Sequence, residues 1–221
     1  MPPNGSLRRI AVAVLLGLGV GLFSSRADLL PADTLLHLVV VMGNAVGPWV
    51  AVGFAAGAIQ GEPRRGALGG AIALCVGVAT YYGAALLTWG DRAPTFLPTL
   101  ALLWLAVAAA SGGVLGAAGG GWASNGRYRT VGPIVLAGAL LAEAAYQFVQ
   151  VEGWRGIDVA RTGVQIAAID TIAALLVPLV LLERARRLQA YLGSAAIGAI
   201  GFLVLAAVES LIRTVLFALP G

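Results

Sequence analysis

Residues 96–120 of this chain read FLPTLALLWLAVAAASGGVLGAAGG and contain no charged side chain. A helix rises about 1.5 Å per residue, so a helix of this length is long enough to cross a hydrocarbon core of about 30 Å. Similar apolar runs recur along the chain, near 9–25, 35–59, 67–89, 131–151, 160–182 and 191–218. The sequence therefore predicts an all-α polytopic membrane bundle of about seven transmembrane helices.

The composition agrees with this fold class. Hydrophobic residues make up 59% of the 221 residues and charged residues only 11%, against roughly 45–50% and 25% in soluble domains. The connecting segments are short and polar, so we predict a single integral membrane domain over residues 1–221. We expect one N-terminal helix followed by three helical hairpins.

The arginines predict an orientation. All 14 basic residues are arginines, and nine of them lie at one set of predicted helix ends, against four at the other set. Because cytoplasmic loops retain positive charge, this predicts a cytoplasmic N-terminus and a C-terminus outside. Residues 1–27 also resemble a signal peptide, with Ser25-Arg26-Ala27 as the cleavage site, and cleavage would leave six helices. An uncut anchor is favoured, because arginine fits that motif poorly.

Four charged side chains fall inside predicted spans: Glu143, Asp170, Glu209 and Arg213. An ionised group near the bilayer centre costs about 2.5–3.5 kcal/mol even on the gentlest scale, so such groups usually face a protein interior or a water-filled cavity. The rise per residue places the three carboxylates at about the same depth, roughly 12–15 Å below the outer boundary. The sequence thus predicts one polar layer in the outer half of the membrane.

Glu209 and Arg213 are four residues apart, so we predict a structural ion pair on one helix face. Glu143 and Asp170 have no obvious counter-charge in the sequence, and we expect them to bind protons or a cation. The candidate ligand or ion site consists of Asn44, Tyr82, Glu143, Gln147 and Asp170. For each carboxylate the alternative is a neutral group that is hydrogen-bonded as a helix-packing contact.

Glycine and proline give two further expectations. Residues 43–49, GNAVGPW, lie inside the second predicted span and contain both glycine and proline, which can interrupt a helix. A kinked helix is favoured there over a broken one that lines a substrate site. The runs Gly53-x3-Gly57-x3-Gly61 and Gly112-x3-Gly116-x3-Gly120 favour close helix approach over pore lining, and they also suggest an internal repeat of the first two hairpins.

Other chemistry has little support. The chain has one cysteine, Cys75, and one histidine, His37, so neither an intramolecular disulfide nor a metal site is expected. No protease, hydrolase or nucleotide-binding motif occurs, and no basic cluster suggests nucleic acid. We therefore expect no catalytic residue and no cofactor. An intramembrane enzyme would need Glu143 and Asp170 within a few ångströms of each other around a reachable water.

The run 43–49, followed by Gly53-Phe54-Ala55-Ala56-Gly57, the Arg64-Arg65 loop, Gly66-Ala67-x-Gly69-Gly70 and Tyr81-Tyr82-Gly83, resembles a family of small bacterial multi-span membrane proteins known only as a domain of unknown function. The resemblance covers residues 43–83. It implies an all-helical bundle in a bacterial inner membrane and assigns no site residue.

Two functions remain open. The leading hypothesis is a transporter or binder of a small solute, a cation or protons, with the polar pocket in the outer half of the membrane. The alternative is a non-catalytic scaffold or accessory subunit that contacts a membrane-protein partner, a second copy of itself or anionic lipid. An open vestibule that reaches Glu143 and Asp170 would support transport, whereas a dry core with every carboxylate paired would support the scaffold.

Overall fold

The computed structural model describes residues 4–30, 37–90, 94–124, 126–150 and 157–218. In this part of the chain all regular structure is helical. The helices are α1 Asn4–Ala27, α2 His37–Asn44, α3 Gly47–Gln60, α4 Pro63–Trp89, α5 Leu97–Ala123, α6 Val131–Gln150, α7 Ile157–Leu181 and α8 Arg184–Ala218, with a 3-10 turn Arg127–Arg129 before α6. Six of the helices described are long and apolar enough to cross a membrane: α1, α4, α5, α6, α7 and α8. The predicted polytopic helical bundle is confirmed, and the chain is a multi-pass membrane protein.

The second predicted span, 35–59, consists of two shorter helices. The first ends at Asn44 and the next begins at Gly47, and their 8 and 14 residues are each fewer than the roughly 20 that a single spanning helix needs. Pro48 lies in the first turn of α3, where its missing amide hydrogen breaks no helical bond. The favoured interpretation, one helix with a proline kink, is therefore wrong. Pro48 lies in the first turn of a second helix instead.

Within the predicted membrane domain, the helices form two compact units, residues 1–132 and 133–221. Unit 1 contains α1 to α5, and glycines set the distances between its helices. A Cβ atom on Gly57 of α3 would lie 2.0 Å from Gly116 O of α5, and one on Gly70 of α4 would lie 2.2 Å from Gly112 O. No side chain fits in either gap. The prediction that the Gly-x3-Gly runs allow close helix approach is confirmed for Gly57, Gly112 and Gly116.

Polar contacts fix the alignment of α1 and α3. Near one end, Arg9 Nη1 donates to Gln60 O at 2.8 Å, while Gln60 Nε2 donates to Arg9 O at 3.3 Å. Near the other end, Trp49 Nε1 donates to Ser24 Oγ at 3.1 Å. Early residues of α1 thus face late residues of α3, so the two helices are antiparallel.

Unit 2 contains α6, α7 and α8. Ala137 and Leu140 of α6 form a buried cluster with Ala174 of α7. On α8, Ser194 Oγ donates to Ile134 O at 3.2 Å, and a Cβ atom on Gly201 would lie 2.7 Å from Ala142 Cβ. These contacts follow increasing residue numbers on both helices, so α6 and α8 run in the same direction.

The outward faces of α7 and α8 are apolar. Large exposed side chains there include Leu176, Val180, Leu188, Leu192 and Leu203. Exposed aliphatic side chains on helices of spanning length are expected where lipid tails cover the protein. Three arginines, Arg184, Arg186 and Arg187, lie in the first turn of α8. There Arg187 Nη2 donates to Leu179 O at 2.9 Å and so satisfies a carbonyl at the end of α7.

Candidate functional site

The central feature of unit 2 is a pair of adjacent buried carboxyl groups. Glu143 of α6 is 1% exposed and Asp170 of α7 is 2% exposed, and their side chains lie close enough to interact as hydrogen-bonding groups. An ionised carboxylate has acceptors but no donor, so a hydrogen bond between the two groups requires that at least one of them holds a proton.

The packing of α6 against α7 explains why these two residues meet. Leu140 and Ala174 belong to one buried cluster. Glu143 lies about one turn after Leu140, and Asp170 lies about one turn before Ala174. The residue numbers at the two contacts thus rise along α6 and fall along α7, so the two helices are antiparallel. The apolar cluster thus sets the register that brings the two carboxyl groups together.

A second polar group lies next to the pair on α6. Gln147 is four residues after Glu143, which places both side chains on one helix face. Gln147 Oε1 and Asp170 Oδ2 are buried and accept no hydrogen bond within the part of the chain that the structure describes. A buried oxygen without a donor costs about 1–3 kcal/mol. These two atoms are therefore suited to receive a proton, a cation or an N–H group.

The third predicted carboxylate, Glu209 of α8, accepts a hydrogen bond from α6. Tyr146 Oη donates to Glu209 Oε2 at 2.6 Å, which links α6 to α8. The predicted ion pair of Glu209 with Arg213 stays a prediction, because the Arg213 side chain lies outside the described residues. Tyr146 belongs to the same helix face as Glu143 and Gln147, but no sequence signal connects it to a residue 63 positions later.

The remaining predicted site residues belong to unit 1. Tyr82 lies on α4, where its side chain lines a cavity of about 200 Å³ together with Asp28 and Tyr81. Asn44 is the last residue of α2, and its side chain lies outside the described residues. The structure thus brings Glu143 and Asp170 together, with Gln147 on the adjoining turn, and it groups Tyr82 with a different set of side chains.

The described residues contain no group of three or more histidine, cysteine, aspartate or glutamate side chains that could hold a metal ion. The condition stated for an intramembrane enzyme is met in part, since the two carboxyl groups are in contact. Their exposures of 1% and 2% show how little of either side chain a substrate or water can reach.

The chain matches a protein family over residues 1–211, and the description of that family is "Family of unknown function (DUF6518)". The chain belongs to this family. The match confirms the resemblance drawn from residues 43–83 and extends it over nearly the whole chain, including Glu143, Gln147 and Asp170. No curated protein and no solved structure matches the chain. Membership of DUF6518 therefore brings no activity or ligand with it.

Proposed function

We propose that this member of DUF6518 binds a proton or a small cation at the Glu143–Asp170 pair, and that it moves this ion or a solute coupled to it across the membrane. The observation that carries the proposal is the proximity of two carboxyl groups that are both almost fully buried. Ionisable groups inside membrane helices are rare, and they usually mark ion pathways or proton relays.

The chemistry of the pair supports exchange of a proton for another cation. While the proton is shared, the two groups together carry at most one negative charge. Loss of that proton leaves two carboxylates side by side, and their repulsion favours entry of another positive charge. Asp170 Oδ2 and Gln147 Oε1 supply further acceptor oxygens. Proton release and cation binding are therefore linked at this site.

The proposal includes a location and an orientation. The arginine asymmetry favours insertion in a bacterial cytoplasmic membrane with the N-terminus inside and the C-terminus outside. Glu143 lies in the second half of α6. In that orientation the pair is therefore nearer the outer surface than the cytoplasmic surface. An ion would then reach the site by a shorter path from the outside than from the cytoplasm.

The test is proton binding by the purified full-length protein in liposomes, read with a pH-sensitive dye and by infrared spectroscopy of protonated carboxyl groups. Glu143→Gln and Asp170→Asn should each abolish the signal of the shared proton. Glu209→Gln is the matched control, because it neutralises another carboxylate of unit 2 that hydrogen-bonds to Tyr146. It should leave that signal unchanged. Identical signals in wild type and in both pair variants would refute the proposal.

A scaffold function is the second candidate, and the burial of the pair favours it. Only 1% of Glu143 and 2% of Asp170 is exposed. A hydrogen bond between their carboxyl groups would hold α6 against α7 even in a protein that transports nothing. The two functions differ under an imposed pH gradient. Transport predicts a proton or cation flux into the liposomes that Asp170→Asn removes. A scaffold function predicts no flux, and it predicts that Asp170→Asn lowers the stability of the protein. The binding partner of a scaffold would be another membrane protein or a second copy of this chain.

A further inference from the structure

A cavity of about 200 Å³ lies in unit 1, where the ends of α1 and α4 meet the beginning of α5. Its lining includes two charged and four aromatic side chains: Arg26, Asp28, Tyr81, Tyr82, Trp89 and Phe96. Pockets for drug-sized ligands usually measure about 300–1,000 Å³. The cavity therefore accepts a small molecule or the polar end of a larger one.

The negative charge in this cavity is held in position. Tyr81 Oη donates to Asp28 Oδ2 at 2.6 Å, across 53 residues of sequence. This bond fixes the carboxylate, which follows the end of α1, to the wall formed by α4. Its second oxygen, Oδ1, remains available to accept from a ligand donor, since a carboxylate accepts several hydrogen bonds. The site is thus built to face a positive group.

The aromatic side chains suit the same positive group. Tyr81 and Tyr82 pack edge to face with their ring centroids 5.1 Å apart, and Trp89 and Phe96 add two more rings to the lining. Ring faces attract ammonium groups, and cages of several aromatic side chains are the usual way in which proteins bind quaternary or methylated amines. A carboxylate beside such rings strengthens the preference for an ammonium group.

Arg26 adds a positive charge to the lining, which favours a ligand that also carries a negative group. It is the only cationic side chain among the described residues that line the cavity, and Asp28 is the only anionic one. Their charges cancel, so a simple cation gains little from the overall field. A ligand with both charges gains from both side chains, because Arg26 offers a forked donor to a phosphate or carboxylate. The lining therefore complements a zwitterion.

The position of the cavity in the membrane agrees with such a ligand. It lies at one end of three helices of spanning length, Ser6–Ala27, Pro63–Trp89 and Leu97–Ala123. The ends of spanning helices lie at the level of the lipid headgroups, where tryptophan and tyrosine are common. Zwitterionic groups are abundant at this depth as phospholipid headgroups, and soluble zwitterions reach it from the aqueous side.

We propose that this cavity binds an ammonium group joined by a short chain to an anionic group, with the ammonium against Asp28 and the aromatic rings and the anion against Arg26. Phosphoethanolamine has this chemistry, either as a lipid headgroup or as a free solute. The site is separate from the carboxyl pair of unit 2. A specificity for the zwitterion distinguishes it from a plain interfacial aromatic belt, which has no headgroup preference.

The test is ligand binding by the purified full-length protein in detergent, read as the shift in thermal unfolding temperature and by tryptophan fluorescence. The probes are short-chain phosphatidylethanolamine, short-chain phosphatidylglycerol, soluble phosphoethanolamine and ethanolamine. We expect the phosphatidylethanolamine to bind more tightly than the phosphatidylglycerol. Asp28→Asn and Arg26→Gln should each raise its Kd by about tenfold or more, because each removes a charged hydrogen-bonding partner.

Three further variants keep the test decisive. Tyr81→Phe retains the charge of Asp28 but removes the bond that positions it, so it should weaken binding less than Asp28→Asn. Arg65→Gln is the matched control for Arg26→Gln, because Arg65 is an exposed arginine that pairs with Glu62 at the other end of α4. Asp170→Asn tests independence from the carboxyl pair. Both Arg65→Gln and Asp170→Asn should bind as the wild type does.

The outcomes separate the sources of the ligand. Binding of soluble phosphoethanolamine as tight as that of the lipid identifies a free zwitterion, whereas binding of the lipid alone identifies a headgroup site. Equal affinity for phosphatidylglycerol would overturn the proposal, as would binding of ethanolamine that equals that of the zwitterions. Binding that is indifferent to Asp28→Asn and Arg26→Gln, or no binding of any probe, would overturn it as well.

Discussion

Replacing Gly116 by alanine should force α5 away from α4. A Cβ atom at this position would lie 2.1 Å from Gly66 O and 2.9 Å from the Cα atom of Gly70. Ordinary van der Waals contact begins at 3.4 Å, so the Gly66 carbonyl would have to move by about 1.3 Å. Both obstacles are helix backbone, which yields less than the tip of a side chain does. The matched control is Gly113→Ala on the same helix, where a Cβ atom would meet nothing within 4 Å.

The magnitude follows from two opposing effects. Overpacking typically costs about 1–3 kcal/mol, and the upper end applies here because the obstacles are rigid. Alanine in a helix is favoured over glycine by up to about 1 kcal/mol. We therefore expect Gly116→Ala to lower the free energy of unfolding by about 2 kcal/mol. Gly113→Ala should be neutral or stabilising by up to about 1 kcal/mol.

The assay is reversible unfolding in mixed micelles with increasing sodium dodecyl sulfate, followed by circular dichroism and tryptophan fluorescence. Gly116→Ala should unfold at a lower detergent fraction than the wild type, and Gly113→Ala should not. If the two variants unfold at the same detergent fraction, backbone contact between α4 and α5 does not limit the stability of unit 1, and the reasoning is refuted.

Three other variants test single contacts by the same unfolding assay. Tyr146→Phe removes the hydrogen bond to Glu209 and should cost about 0.6–1.7 kcal/mol; Glu209→Gln keeps an acceptor and should cost less, and an equal loss would contradict this pairing. Gln60→Leu removes one of the two hydrogen bonds that α3 makes with Arg9 and should cost about 0.5–1.5 kcal/mol; unchanged stability would show that the remaining bond suffices. Arg187→Met loses the donors to the carbonyls of Leu179, in the last turn of α7, and of Leu182, just after it, and should cost about 1 kcal/mol. The exposed neighbour Arg184→Met should have no effect; similar losses would assign the effect to charge alone.

Local features of the sequence were sufficient to predict that this chain is a helical membrane protein. Six of the seven apolar runs correspond to helices of spanning length, because crossing a bilayer as a helix needs only length and apolar character. The motifs in residues 43–83 already indicated a family of unknown function, and the family match over residues 1–211 confirmed it. The shared depth of Glu143 and Asp170 could also be counted along each helix, because the rise per residue is constant.

Only the tertiary structure decided which residues meet. Depth along an axis does not fix how a helix is rotated or which helix lies beside it, since both depend on the fit of whole surfaces. The glycine contacts of α3, α4 and α5 and the alanine cluster of α6 and α7 set those rotations. In the folded chain Asp170 lies against Glu143, Glu209 accepts from Tyr146, and Tyr82 lines a cavity with Asp28. The division of the second span after Asn44 has the same origin, because a proline permits either a kink or a new helix and packing selects between them.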